Sequence, residues 1–129
     1  MLLISLSRQQ QEVLFHLAHS VVVSDGELAP GEESLMEEMR REMGLSHSFQ
    51  PHYLDPEGLE EIFDTRRARI IAIIALIRLG YADGAFEIEE QSFLELLCRK
   101  FDISDTDFSR IDNWVRRLVS LEKEINDLM

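Results

Sequence analysis

Cysteine is almost absent from this sequence of 129 residues, because Cys98 is its one example. A single cysteine cannot form a disulfide within the chain, which excludes the disulfide-rich class of small domains and fits a reducing compartment. Cys98 lies between Leu97 and Phe101 in an apolar helical pattern. We therefore expect a small packed side chain there and not a reactive thiol.

Long hydrophobic runs are also missing. The apolar start of the chain is too short for a signal peptide, and the run at 70–77 is too short and too closely flanked by arginines to span a bilayer. We expect a cytoplasmic protein with no membrane partner.

Positive charge is scarce, with 13 basic against 25 acidic residues and a formal net charge of -12. Such a chain repels nucleic acid and anionic membrane surfaces, and it favours cations or basic protein surfaces. Solubility alone also accounts for this charge. We expect no nucleic-acid partner.

The patterns of catalysis are missing as well. The sequence shows no nucleophile paired with a base, no glycine loop for phosphate and no zinc spacing, so we expect no enzyme. It also lacks the apolar and polar alternation of strands, which predicts an all-α fold. The length suits a single domain over residues 1–129.

The strongest structural signal in the sequence is a run of eight consecutive apolar residues at positions 70–77. A helix through this run has no polar face, so other helices must surround it. We expect Ile71, Ile74, Ala75 and Leu79 to be buried.

Caps and stops around this run predict about six helices. Ser7, Asp55 before Pro56, Thr65 and Ser104 with Asp107 have the residue types of helix starts, and Gly44 is a predicted stop. The predicted helices cover residues 8–24, 30–43, 56–63, 66–82, about 88–101 and 105 onward. Residues 46–54 form a linker between two halves.

The two halves resemble each other. A shift of about 58 residues places Asp25-Gly26 on Asp83-Gly84, Glu32 on Glu90, and apolar positions on apolar positions. Each unit is a helix, an acidic loop and a second helix, and neither could bury its apolar face alone. We expect the units to pack together about a pseudo-twofold axis.

The paired units, SDGELAPGEE and ADGAFEIEE, resemble the TerB-like family, which includes the tellurite-resistance protein TerB and the N-terminal region of the co-chaperone DjlA. The resemblance covers roughly residues 13–104. It implies a compact helical domain whose clustered acidic residues bind divalent metal, in proteins of stress, tellurite or chaperone functions. No J-domain or membrane anchor accompanies the pattern, so co-chaperone activity is not implied.

The loop carboxylates Asp25, Glu32, Asp83 and Glu90 are the candidate metal ligands. These hard oxygen donors suit calcium, magnesium or manganese. The alternating ligands of an EF-hand loop are missing, so high-affinity calcium binding is not indicated. An Asp before Gly can instead form an Asx-turn, and a Glu in the first helical turn can cap its own helix, so a purely structural role stays open.

Histidines and arginines give weaker signals. His16 and His19 lie at the edge of an apolar helical stripe, where we expect partly exposed side chains and not metal ligands, and His47 and His52 lie in the linker. We expect the arginines at 65–69, with Arg78, to pair with surface carboxylates.

Two functions therefore stay open: a metal-binding stress-response domain, and a protein-interaction module that uses its acidic face or a helical groove. In either case we expect a protein partner. A structural homodimer is a third possibility, because Trp114 and Phe108 on the last helix could supply an interface if its apolar stripe is wider than the core requires.

Overall fold

The computed structural model describes residues 2–23, 30–82 and 88–129, and for residues 88–90 it describes the backbone only. In these ranges the chain forms six α-helices after a 3-10 turn at Leu3–Ser5, and it forms no strand. The all-α prediction is confirmed. No helix in the same ranges is long and apolar enough to cross a membrane. The helices are α1 (Arg8–Val22), α2 (Pro30–Met43), α3 (Leu59–Ile62), α4 (Arg66–Gly80), α5 (Ile88–Lys100) and α6 (Asp105–Leu128).

Side-chain caps fix the starts of α1 and α4. The Ser7 hydroxyl accepts a hydrogen bond from the Gln10 N–H at 3.1 Å, and the Gln10 side chain accepts one from the Ser7 N–H at 2.9 Å. Thr65 accepts from the Ala68 N–H at 3.1 Å. Each cap satisfies a backbone donor that the helix leaves unpaired, which typically stabilises the fold by about 1 kcal/mol. Both predicted caps are confirmed.

Helix α4 is the centre of the core, as the apolar run predicts. It packs against α1, α2, α5 and α6, and Ile73, Leu76 and Ile77 are fully buried. Ile71, Ala75 and Leu79 are buried as expected. Enclosure on several sides explains why this helix needs no polar stripe.

One side of α4 departs from the prediction. Ile74, predicted to be buried, is only partly covered, and so is Ile70 one turn earlier. Helix α6 packs against α4, and Val115 is its buried residue. A cleft remains between the two helices on the side of Ile70 and Ile74.

The ends of α2 and α5 share one conformation. Gly44 has φ +66 and Asp102 has φ +56, so both residues adopt the left-handed region. After α2, the Leu45 N–H donates to the Arg40 carbonyl at 3.0 Å, and after α5 the Ile103 N–H donates to the Cys98 carbonyl at 2.9 Å. These bonds satisfy carbonyls that the helix ends leave free. The predicted stop at Gly44 is confirmed.

The predicted start of α3 at Pro56 is wrong, because the helix begins at Leu59. Asp55 does not cap a helix beginning at Pro56, because its carboxylate accepts from the Glu57 N–H at 2.9 Å in an Asx-turn. Gly58, at φ +82, then redirects the chain, and the helix begins at Leu59. The linker before it is confirmed as non-helical.

At the start of α6, the structure shows one of the two hydrogen bonds of the predicted capping box. The Ser104 hydroxyl accepts from the Asp107 N–H at 3.1 Å. The Asp107 carboxylate instead accepts from Arg66 at 2.6 Å, which joins the start of α6 to the start of α4.

Element bounds follow the spacing of the proposed repeat. Helices α1 and α4 have 15 residues each, and their bounds lie about 58 positions apart, as do the starts of α2 and α5. Superposition of the two halves in space stays a prediction.

Candidate functional site

The four acidic candidates divide between described and undescribed parts of the chain. Asp25 and Asp83 lie outside the described residues, and of Glu90 only the backbone, in α5, is described. Glu32 lies in the first turn of α2, where it is 8% exposed and engaged with another group of the chain. Among the described residues, no group of three or more His, Cys, Asp or Glu side chains could hold a metal ion. The four-carboxylate site stays a prediction.

The helices α1 and α4 lead into the two acidic segments, residues 25–32 and 83–90, and both helices start from the same end of the domain. A surface cleft of about 370 Å³ is lined by the starts of both helices: the caps Ser7 and Thr65, with Gln10 of α1 and Ala68 of α4. The two helices also pack against each other. They therefore run away from that cleft together, and the chain leaves both of them toward the opposite end of the domain.

A hydrogen-bond network fixes the end of α4, next to the second acidic segment. The Tyr81 hydroxyl donates to Asp112 of α6 at 2.6 Å and accepts from Arg116 at 2.8 Å. Burial, followed by the hydrogen bond to Asp112, raises the pKa of Tyr81 above its ordinary value. The residue before the loop is thus anchored to the last helix.

His16 is more deeply buried than the sequence predicts, at 8% exposed. The linker covers it: the His52 ring lies 3.9 Å from the His16 ring between centroids, and Phe49 lies 5.1 Å away. Nδ1 of His16 accepts from the His52 N–H at 3.1 Å, so this nitrogen is not free to ligate. Burial, and then His52, lowers the pKa of His16. The periodicity of α1 carries no information on what the linker covers.

The linker itself is held by Arg40, a residue that the sequence does not single out. Arg40 is 7% exposed and lies over the Phe15 ring, with 4.7 Å from its guanidinium carbon to the ring centroid. It donates to the carbonyls of Ser46 and Phe49. These charge-assisted bonds satisfy linker carbonyls and fix the linker against α1. Arg40 is thus structural.

A cleft of about 450 Å³ separates α4 from α6, which is within the size range of ligand sites. We call it the α4–α6 cleft. Its floor is apolar and its rim is charged. It is lined by Arg66, Ile70, Ile74, Asp107, Arg110, Ile111, Asn113, Trp114 and Arg117.

Positive charge dominates this cleft. Three arginines line it against the one carboxylate of Asp107. Asp107 lies 2.6 Å from Arg66 and 4.0 Å from Arg110, while Arg117 has no ion-pair partner among the described residues. In a chain of net charge -12, the α4–α6 cleft is a local basic site that can attract acidic groups.

The prediction that the arginines pair with surface carboxylates holds at two positions and fails at a third. The pairing of arginines with carboxylates is confirmed for Arg66, and for Arg78, which lies 2.5 Å from Glu122. Arg69 differs, since it donates to the carbonyls of Phe63 and Glu60 at 2.6 and 2.7 Å. Of the two residues that suggested an interface on α6, Trp114 is 37% exposed, whereas Phe108 is partly buried and packs against the core.

Comparison with known proteins supports the family resemblance. Residues 58–113, from the start of α3 into α6, match the family described as tellurite resistance protein TerB. The resemblance to TerB is thus confirmed over a shorter stretch than the sequence pattern suggests. No curated protein and no solved structure matches this chain.

Proposed function

We propose that this chain, whose residues 58–113 match the TerB family, is a non-enzymatic domain that binds a divalent cation in a stress or tellurite-resistance setting. Asp25, Glu32, Asp83 and Glu90 would supply the ligands. Carboxylate oxygens suit calcium, magnesium or manganese, and none of these ions needs nitrogen or sulfur ligands. A bound cation would join the two halves of the domain.

The common direction of α1 and α4 is the observation that carries this proposal. Both helices start at one cleft, so the chain enters both acidic segments toward the other end. Two acidic segments that begin at one end would bring negative charge together, and like charges in proximity repel. A divalent cation would relieve this repulsion, which makes its binding favourable.

Burial of Glu32 is consistent with the proposal. A carboxylate that is 8% exposed has lost most of its contact with water, and burial of a charge is unfavourable unless other groups compensate. A helix-capping role would supply compensation through backbone N–H groups, and a metal site would supply it through the cation. These two roles differ in whether stability depends on added metal.

Thermal unfolding with and without cations tests the proposal. A site filled at about a hundred times its dissociation constant stabilises the fold by roughly 2.7 kcal/mol. For a domain of this size, that free energy corresponds to a rise of several degrees in the melting temperature. We expect this rise with millimolar calcium, magnesium or manganese, and we expect chelator to reverse it.

Two double variants make the test specific. Asp25→Asn with Asp83→Asn removes two loop charges while keeping side-chain size and turn preference, so it should abolish the cation-dependent shift. Glu57→Gln with Glu61→Gln removes the same charge from two exposed side chains near α3 and should retain the shift. If the loop variant responds to metal like the wild type, the loops are capping structure only.

A protein-interaction module is the second candidate, and the α4–α6 cleft favours it. An apolar floor with a charged rim is typical of sites that recognise a protein segment by shape and charge together. Binding at this cleft should be indifferent to chelator, whereas metal binding at the loops should not. The two candidates are therefore separable in one set of titrations.

A further inference from the structure

Helix α6 is longer than the core requires. It has 24 residues, about 36 Å at the rise of an α-helix, and Val115 is its fully buried residue. Beyond Val119 most side chains are exposed, including Leu121 at 60%, Ile125 at 53% and Leu128 at 82%. The second half of α6 therefore carries large apolar side chains that nothing in the described chain covers.

Apolar residues along α6 recur at alternating intervals of three and four, which is the heptad spacing of a coiled coil. Within a heptad repeat, these positions lie on one face of the helix. We call this face the α6 seam. It consists of Ile111, Trp114, Leu118, Leu121, Ile125 and Leu128.

The α6 seam and the α4–α6 cleft are continuous. Ile111 and Trp114 belong to both, so the seam starts in the cleft and runs outward to the exposed end of the helix. One face therefore has a concave apolar part near α4 and a protruding apolar part beyond it. A protruding part and a recess on the same face can fill each other in a second copy.

Charge along this face changes sign. The seam is flanked at successive heptad positions by Arg110, Arg117 and Glu124. Arg66 and Glu122 lie near the two ends of this face, but each already pairs within its own chain, Arg66 with Asp107 and Glu122 with Arg78. An antiparallel second copy places opposite charges together, while a parallel copy places the two arginine-rich clefts at the same level.

We propose that two copies of this chain associate through antiparallel α6 helices about a twofold axis between Leu118 and Leu121. Leu118 then packs on the partner subunit's Leu121, and Trp114 packs on the partner subunit's Ile125. Arg117, without an ion-pair partner among the described residues, lies opposite the partner subunit's Glu124. The interface is self-complementary, as a twofold contact must be. It is independent of the proposed metal site.

A parallel arrangement of the two α6 helices gives fewer of these charged side chains a partner of opposite charge. In a parallel coiled coil, Arg117 would face the partner subunit's Glu122. Glu122 already accepts from Arg78 at 2.5 Å within its own chain. Glu124 would then face the partner subunit's Met129, which carries no side-chain charge. The antiparallel arrangement gives both Arg117 and Glu124 an oppositely charged neighbour.

Sedimentation of the full chain in the presence of chelator tests the association. We expect a mass of twice the 15.0 kDa chain at micromolar concentration. Leu121→Glu places a charge on the seam and should give a monomer, without loss of helicity, because Leu121 is exposed in the single chain. The matched control, Ser120→Glu, adds the same charge at an exposed position on the side of α6 that faces away from the seam, and it should remain dimeric.

Charge exchange tests the orientation. Arg117→Glu alone and Glu124→Arg alone should each raise the dissociation constant of the dimer by about tenfold, because each places like charges together. The double variant restores opposite charges only in the antiparallel arrangement, so it should recover most of the affinity. A monomeric wild type, or a dimer that Leu121→Glu leaves intact, would overturn the proposal. A dimer without recovery in the double variant would overturn its orientation.

Discussion

Cys98 and His16 are both buried, and burial changes the pKa of each in a direction that experiments can follow. The Cys98 side chain is 6% exposed, and burial, with smaller contributions from Asp105 and Glu95, raises its pKa from 9.0 to about 11. The thiolate is the reactive form of cysteine. At pH 8 a thiol of this pKa is ionised to on the order of one part in a thousand.

We therefore predict slow modification of Cys98 in the native protein. A thiol reagent at pH 8 should react with it at least about a hundredfold faster after unfolding, since unfolding restores both access and an ordinary pKa. Reaction rates with and without denaturant measure this ratio. Equal rates in the native and unfolded states would show that Cys98 is accessible in the fold, which would contradict its burial in α5.

His16 makes the fold sensitive to acid. Its pKa is lowered in the folded state, by burial first and then by His52, while the unfolded chain has an ordinary histidine pKa of about 6.5. The unfolded state therefore binds a proton at a higher pH than the folded state. Above about pH 6.5, neutral His16 makes its full contribution to the free energy of unfolding. That contribution is lost as the pH falls through the lowered pKa of the folded state.

The matching experiment compares denaturant unfolding of two variants between pH 7.5 and 5. His16→Gln keeps a hydrogen-bond acceptor near the His52 N–H but cannot titrate, so it should flatten the loss of stability on acidification. His19→Gln, which makes the same substitution on the same helix at a position that is only half-covered, is the matched control. An unchanged slope in His16→Gln would assign the acid sensitivity to groups other than His16.

At the scale of elements, the ends of α2 and α5 offer a direct comparison. Both C-terminal turns need a left-handed residue, which is Gly44 in one and Asp102 in the other. A Cβ on residue 44 would meet only the Arg8 guanidinium, at an ordinary 3.8 Å, so conformation alone opposes a larger residue there. Left-handed backbone costs a residue with a Cβ about 1–2 kcal/mol, and glycine largely avoids this cost.

We predict opposite effects at these two positions. Gly44→Ala should lower the free energy of unfolding by about 1 kcal/mol, and Asp102→Gly should raise it by about 0.5 kcal/mol, since glycine also loses more backbone entropy on folding. Asp102→Asn is the control, because it removes the charge and keeps the Cβ. Equal stability of Gly44→Ala and wild type would mean that this turn can adopt another conformation.

Helices were predictable where local chemistry alone sets their bounds. Proline at position 30 and the left-handed Gly44 delimit α2, and both predicted bounds of α2 are confirmed. The start of α3 failed because Asp55 has two local options, a helix cap and an Asx-turn, and the turn is the one it adopts. A residue type that suits both structures cannot distinguish them.

For the whole molecule, the sequence predicted the core better than the surface. The run at 70–77 correctly identified α4 as the central helix. It could not indicate where α6 packs on α4, because periodicity within one helix contains no information on where another helix lies. The α4–α6 cleft, the partial exposure of Ile74 and the burial of His16 all arise from such contacts between elements.

The proposed metal site is also a claim about the whole molecule, because it joins segments from both halves. Its location can be observed directly with manganese, whose unpaired electrons broaden the amide signals of nearby residues in an NMR spectrum. Val23 precedes the first acidic segment, Glu32 is its last residue, and Ala82 precedes the second segment. Gln10 and Thr65 lie at the end where α1 and α4 begin.

We expect substoichiometric manganese to broaden the signals of Val23, Glu32 and Ala82 together, and to leave those of Gln10 and Thr65 sharp. Asp25→Asn with Asp83→Asn should remove this broadening. Broadening at only one of the two segments would contradict a shared site. Broadening spread over exposed carboxylates, or none at millimolar manganese, would contradict metal binding by these loops altogether.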